Sequence, residues 1–358
     1  MPGQSPSDVI KPEVRQLSAY TLKHVKADVK LDQNENPYEL PQELKEEVTR
    51  RVLARPWGRY PEFVPHSTTQ ALARYSGWRE DGILIGNGSN ELIMAGLSVV
   101  LGKGRKAVIP QPTFTLYKLL SSVFEAQVTT VPLNASDFTF NVDEIEAAAK
   151  DAAVTVICSP NNPTGGLLPA GSLERILKVT PGLVFLDEAY HEFSGQTALT
   201  LLPSNPNLIV LRTFSKAMSM AGLRFGYLMA HPEVAKEIHK AKLPYNVNVF
   251  TLAAAEAVLE RPNLVKETVQ KLIAERERVL AELRTRPDVE VFDSCTNFFL
   301  IRTMKRARDL FEALYDRGVL VRDVSSYPML ERILRVSVGK PEENNRFLSA
   351  LDRALETK

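Results

Sequence analysis

The chain has 358 residues, 44% hydrophobic and 24% charged, with a formal charge of +1. That length suits one large α/β domain plus a smaller one, and the even charge balance excludes the basic stripe of a dedicated nucleic-acid binder. No run approaches the roughly 18 consecutive apolar residues of a membrane span. Cys158 and Cys295 lie far apart and match no metal spacing, so two free thiols in a reducing, cytoplasmic setting are expected.

Residues 1–31 are polar, are broken by Pro2, Pro6 and Pro12, and lack the basic start and apolar run of a signal peptide; they read as an N-terminal arm. From 32 to 240 short β-rich runs alternate with amphipathic stretches. Strands are expected at 83–85, 106–109, 128–131, 154–158, 183–186, 208–212 and 225–229, with helices such as 91–101, 114–124 and 142–150 between them. This alternation predicts βαβ units and a mostly parallel sheet in a large domain. After Pro244-Tyr245-Asn246-Val247-Asn248 the pattern changes to a long helix at 263–284, strands at 289–292 and 298–301, and a helix at 306–317. Strands at 319–322 and 334–338 and a last helix at 342–356 complete a smaller α+β domain over 241–358.

The chemistry-bearing residues fall where these predicted strands end. Lys216 follows strand 208–212 inside Thr213-Phe214-Ser215-Lys216. A surface loop is the ordinary place for a lysine, but the ends of parallel strands are where α/β sheets place ligands. Burial and nearby cations there would lower the amine's pKa and free it as a nucleophile. Asp187 ends the apolar run 182–187, where a carboxylate is costly unless paired. A turn or helix-cap aspartate is one reading, a partner for a protonated ring nitrogen the other. Tyr190 and Asn162 are candidate hydrogen-bond donors, although Asn162-Pro163 and Thr164-Gly165 are also common turn pairs.

Two segments suit an anion. Gly86-Asn87-Gly88-Ser89-Asn90-Glu91 precedes an apolar helix, so the N–H groups around Gly88, Ser89 and Asn90 point outward at a helix N-terminus. A glycine turn with an ordinary cap fits the same letters. Arg224, with Thr213 and Ser215, would complete the cradle. Phe114 offers a flat face for stacking, or simply a core aromatic, and Arg335 sits mid-strand among apolar residues, where it needs an anionic partner. The five histidines show no metal-ligand spacing, so no metal is expected. Together these groups supply what pyridoxal phosphate needs: an amine for the aldehyde, a carboxylate for the ring nitrogen, donors for the phenolic oxygen and a phosphate cradle.

Asn162-Pro163-Thr164-Gly165, Asp187-x-x-Tyr190, Ser215-Lys216 and Arg224 resemble the signature of fold-type I pyridoxal-phosphate-dependent aminotransferases. Segments 31–37, 59–61, 244–248, 318–323 and 338–344 resemble, more narrowly, the histidinol-phosphate aminotransferase family. The resemblance implies a large domain with a mostly parallel mixed sheet, a smaller α+β domain, pyridoxal 5'-phosphate as cofactor and a homodimer. It implies catalytic roles for Lys216, Asp187 and Tyr190, and a Tyr60 that reaches the partner's cofactor phosphate. Tyr20, Asn34, Tyr245, Arg322 and Arg335 are implied around the substrate, with Asn246 near its far end. The reaction implied is amino transfer from histidinol phosphate to 2-oxoglutarate in histidine biosynthesis. One departure is Phe114, where the family more often carries tyrosine; stacking survives and the hydroxyl does not, with Tyr117 a nearby stand-in donor. An aromatic amino-acid aminotransferase, a decarboxylase of a phosphorylated amino acid and, remotely, a non-enzymatic binding protein remain open on the same scaffold.

Overall fold

The computed structural model describes residues 5–17 and 26–356. Its strands, in chain order, are β1 (Val29–Lys30), β2 (Ile83–Gly86), β3 (Lys106–Gln111), β4 (Gln127–Pro132), β5 (Val154–Cys158), β6 (Leu183–Asp187) and β7 (Leu208–Thr213). β8 (Gly226–Ala230), β9 (Val289–Val291), β10 (Phe298–Thr303), β11 (Val319–Leu320), β12 (Arg322–Asp323) and β13 (Ile333–Ser337) follow.

Seven of them form one sheet in the order β2-β8-β7-β6-β5-β3-β4. All run parallel except β8, which is antiparallel to both neighbours. Side chains of a strand alternate between faces, and here both faces are covered, so the central strands are apolar throughout. In β7, Leu208 and Val210 join one apolar cluster while Ile209 and Leu211 join the other. Full burial of each such side chain is worth about 1.5–3 kcal/mol. The same alternation puts Asp187 on the face of Phe185, together with the helices Ser89–Val100 and Thr115–Val123.

A second sheet, β12-β13-β10-β9, is antiparallel and comes from the C-terminal part of the chain. β1 pairs with β11 in a two-stranded parallel ribbon, so the end of the expected N-terminal arm is fastened to the C-terminal part. The single strand expected at 319–322 is divided. Leu320 pairs with Lys30, then Arg322 pairs with Arg335, because the chain passes from the ribbon into the four-stranded sheet across the buried Val321. The helix Pro262–Leu283 buries Val265, Val269, Leu272, Val279 and Leu283 along one stripe, the spacing of an amphipathic helix. No described helix is long and apolar enough to cross a membrane.

Candidate active site

The parallel strands β3, β5, β6 and β7 end at Gln111, Cys158, Asp187 and Thr213 along one edge of the sheet. Phe114, Asn162, Tyr190, Ser215 and Lys216 follow within four residues of those ends. β2 runs the same way and delivers Gly88, Ser89 and Asn90; β8, running oppositely, starts at this edge and brings Arg224. One topology therefore gathers segments far apart in sequence. A cavity of about 260 Å³ is lined by Ser89, Asn90, Phe114, Asn162, Asp187, Tyr190, Thr213, Ser215, Lys216 and Arg224. Asp32, Gln33, Asn34, Tyr117 and Cys158 also line it, and Arg322, Tyr327 and Arg335 enter from the C-terminal part. A roomier cleft of about 450 Å³ beside the edge strand β2 holds none of these groups.

The Lys216 amine donates to the Gln33 carbonyl at 2.8 Å. Burial, then the positive charge of Arg335, bring its pKa down from 10.5 to about 7, with Glu35 pulling the other way. A free amine is therefore accessible near neutral pH, where an ordinary lysine is a fixed cation.

Asp187 is 3% exposed. Burial pushes its carboxyl up to about 6, and the Tyr117 hydroxyl and the Ala189 N–H restrain that rise. Tyr117 donates to Oδ2 at 2.6 Å and Ala189 N–H to Oδ1 at 3.0 Å. The Tyr117 hydroxyl, expected as a stand-in for the one missing at Phe114, is thus engaged on Asp187 instead.

The helix Ser89–Val100 begins at Gly88 with no side-chain cap. Gly88 has φ +76°, and a Cβ there would lie 2.4 Å from Arg224 Nη2, so only glycine lets the guanidinium close over the turn. Arg224 donates to Ser215 Oγ at 3.1 Å, and Thr213 Oγ1 to Ser215 Oγ at 3.0 Å. Helix N–H groups, two hydroxyls and a guanidinium around one space are an anion cradle.

Arg335 donates to Asn162 Oδ1 and to the Asp32 carbonyl, both at 2.7 Å. Asn34 is buried, with its amide donating to Tyr190 Oη at 3.0 Å and its Oδ1 accepting from Ser337. The amine, carboxylate, hydroxyls and anion cradle around one cavity fit pyridoxal phosphate in kind.

Not every sequence candidate is here. Tyr60 is 81% exposed and stacks on Tyr245, ring centroids 4.5 Å apart, outside the cavity. Asn246 donates to the Ile85 carbonyl at 3.1 Å and to Glu91 at 2.8 Å, bracing the turn before Ser89 rather than lining the cavity. Tyr20 lies outside the described residues. Among those described, no group of three or more His, Cys, Asp and Glu side chains is gathered as metal ligands. Sequence reasoning missed Gln33, Cys158, Tyr327 and the Asp187 contact of Tyr117; only the Leu31–Pro37 segment and the i, i+3 spacing of Phe114 and Tyr117 pointed toward any of them.

The family pattern of class I and II aminotransferases matches residues 26–351. A histidinol-phosphate aminotransferase of Chlorobaculum tepidum is 41% identical over 349 residues, covering 96% of this chain and 100% of that protein. The crystal structure of the histidinol-phosphate aminotransferase from Clostridium acetobutylicum shares the fold with a TM-score of 0.85 and 25% identity, over 91% of this chain and 98% of that one. L-threonine-O-3-phosphate decarboxylase from Porphyromonas gingivalis matches with a TM-score of 0.81 and 25% identity, over 92% and 100%. On this agreement of pattern, sequence and fold, the chain belongs to the class I and II aminotransferases, within the histidinol-phosphate aminotransferase family.

Proposed function

We propose that the protein transfers the amino group of L-histidinol phosphate to 2-oxoglutarate, giving imidazole-acetol phosphate and L-glutamate in histidine biosynthesis, with pyridoxal 5'-phosphate as cofactor. The observation that carries this reading is the placement of the Lys216 amine, the Asp187 carboxylate and the Ser215–Arg224 cradle around one cavity. Bound there, the cofactor supplies an electron sink for the substrate carbon that bears the amino group.

The residues divide the remaining work. Ser89, Asn90, Thr213, Ser215 and Arg224 hold the cofactor phosphate, and Phe114 covers the ring. Asp187 keeps a proton on the ring nitrogen. Asn162 and Tyr190 donate to the phenolic oxygen; Arg335, by occupying Asn162 Oδ1, leaves the amide N–H₂ for that task. Lys216, with a pKa of about 7, exists in both protonation states at neutral pH, as a group that takes and returns a proton at the substrate carbon must. Arg322 and Arg335 offer guanidinium forks to the substrate's phosphate or carboxylate, with Tyr20 and Asn34 as further substrate contacts. One anion-binding end can thus take a phosphate ester and a dicarboxylic acid in turn.

A homodimer belongs to the same reading, with Tyr60 completing the cradle of a second copy. Trp57 (69% exposed), Tyr60 and Phe63 form apolar surface that a second copy would cover. The domain division at 31 and 240 and a cytoplasmic setting are parts of it too.

The test mixes the pyridoxal-phosphate-loaded protein with histidinol phosphate, phenylalanine or O-phosphothreonine, and follows the cofactor's absorbance together with carbon dioxide release. Conversion to the pyridoxamine form fastest with histidinol phosphate is expected. Faster conversion by phenylalanine would make it a broad aromatic aminotransferase, and carbon dioxide from phosphothreonine a decarboxylase.

A further inference from the structure

Phe114 and Tyr117 stand at i and i+3 where the helix Thr115–Val123 begins, rings edge to face with centroids 5.6 Å apart. One helical turn therefore delivers two aromatic rings to different depths. Both line the cavity; Tyr117 is fully buried and aims its hydroxyl at Asp187. The register of the sheet fixes the target. Asp187 lies opposite Cys158 in the β5–β6 pairing, and both face the helix that carries Tyr117.

A buried phenol needs a partner for its O–H, and a buried carboxylate needs donors. Such a pair could be no more than mutual satisfaction, but the geometry is specific. Asp187 has one oxygen on a backbone N–H and the other on Tyr117, so its plane is set by two donors from different elements. An O–H donor to a carboxylate is among the stronger hydrogen bonds available, and it favours the ionised form.

We propose that Tyr117 is a positioning residue for the cofactor ring: its hydroxyl fixes the plane and the charge of Asp187, and through it the proton on the ring nitrogen. The proposal rests on the reading of the cavity as a pyridoxal phosphate site. It also assigns to Tyr117 a task apart from the hydroxyl lost at Phe114. Other titratable groups around Asp187 are Cys158, whose thiol donates to the Pro160 carbonyl at 3.3 Å, with Glu188, Tyr190 and Lys216. None of the four donates a hydrogen bond to Asp187 in its present geometry.

The test compares wild type, Tyr117→Phe, Asp187→Asn and the double variant. The readouts are the dissociation constant of pyridoxal phosphate, the pH titration of the bound cofactor's visible band, and kcat and KM. Tyr117→Phe should weaken cofactor binding and lower kcat by about 10-fold each, the scale of one hydrogen bond to a charged group, with KM little changed. The titration midpoint of the band should shift. In the Asp187→Asn background the same substitution should change these quantities by no more than about twofold, because the two residues act as a unit. An unchanged cofactor affinity and band titration in Tyr117→Phe, or an equal loss in both backgrounds, would overturn the proposal. Should Tyr117→Phe alone lose its thermal transition, the double variant decides: recovery of the transition supports the role through Asp187, and no recovery shows that Tyr117 acts by packing. A wild-type protein that takes up no pyridoxal phosphate would overturn the parent reading itself.

Discussion

Arg335 on β13 donates to Asn162 Oδ1 at 2.7 Å, so a single guanidinium joins the four-stranded sheet to the loop that follows β5. A second bond from the same side chain, to the Asp32 carbonyl, reaches the segment after β1. Sheet, ribbon and loop thus meet at the point where a substrate anion would dock.

Arg335→Ala removes that joint along with an anion fork. It should raise KM for histidinol phosphate and for glutamate alike, by about 10- to 100-fold for a lost charge-assisted contact. Arg322→Gln should raise KM for histidinol phosphate by a similar factor while glutamate changes by less than about threefold. Steady-state kinetics with both substrates check this, and equal losses in Arg322→Gln would remove its assignment to the phosphate end.

Lys216 makes a pH prediction for the cofactor-free protein. Its pKa is lowered from 10.5 to about 7 by folding. Between those values the unfolded chain holds a proton that the folded one does not, so this residue makes stability rise with pH across that window. Lys216→Met escapes the cost of the buried charge. It should melt about 2–6 °C above wild type at pH 6–7, and the gap should close as pH approaches 10.5. A gap independent of pH would mean that the amine is not desolvated.

Gly88→Ala places a methyl group against Arg224 and strains a left-handed backbone. The guanidinium must move off the turn, so cofactor affinity should fall about 10-fold or more, on the scale of one displaced charge-assisted bond. Equilibrium dialysis of pyridoxal phosphate measures it, and an affinity equal to wild type would show that Arg224 does not close on this turn.

How much of this was legible in the sequence depends on the range of the contact. Strands 154–158 and 208–212 were readable because buried β-branched and leucine runs between turn residues have few other fates. The placement of Lys216 and Asn162 at strand ends followed from those runs, and that of Asp187 from the run 182–187. The Tyr117–Asp187 bond was not readable: a tyrosine on the apolar face of an amphipathic helix looks the same whether it serves the core or a carboxylate 70 residues away. Likewise the split of 319–323 is decided by pairing with β1, nearly 300 residues upstream. The stacking of Tyr60 on Tyr245 joins two segments that gave no local sign of meeting.

Next to Asp187, Glu188 and Arg212 form a buried ion pair. Glu188 Oε2 accepts from Arg212 Nη2 at 2.8 Å and Nε at 3.0 Å, and Oε1 accepts from the Ala198 N–H at 2.6 Å. Glu188→Ala leaves a guanidinium unpaired between β6 and β7 and should cost about 3–5 kcal/mol. Replacing both residues with leucine should cost clearly less. Urea unfolding of the cofactor-free protein compares them; a cost below about 1 kcal/mol for Glu188→Ala would mean that Arg212 finds another anion.

Lys216 is the residue expected to carry the cofactor. Loading the protein with pyridoxal phosphate, reducing it with borohydride and mapping the modified peptide by mass spectrometry tests this directly. One phosphopyridoxyl group per chain, on Lys216, is expected. A label on a different lysine, or none after reduction of a fully loaded protein, would contradict it.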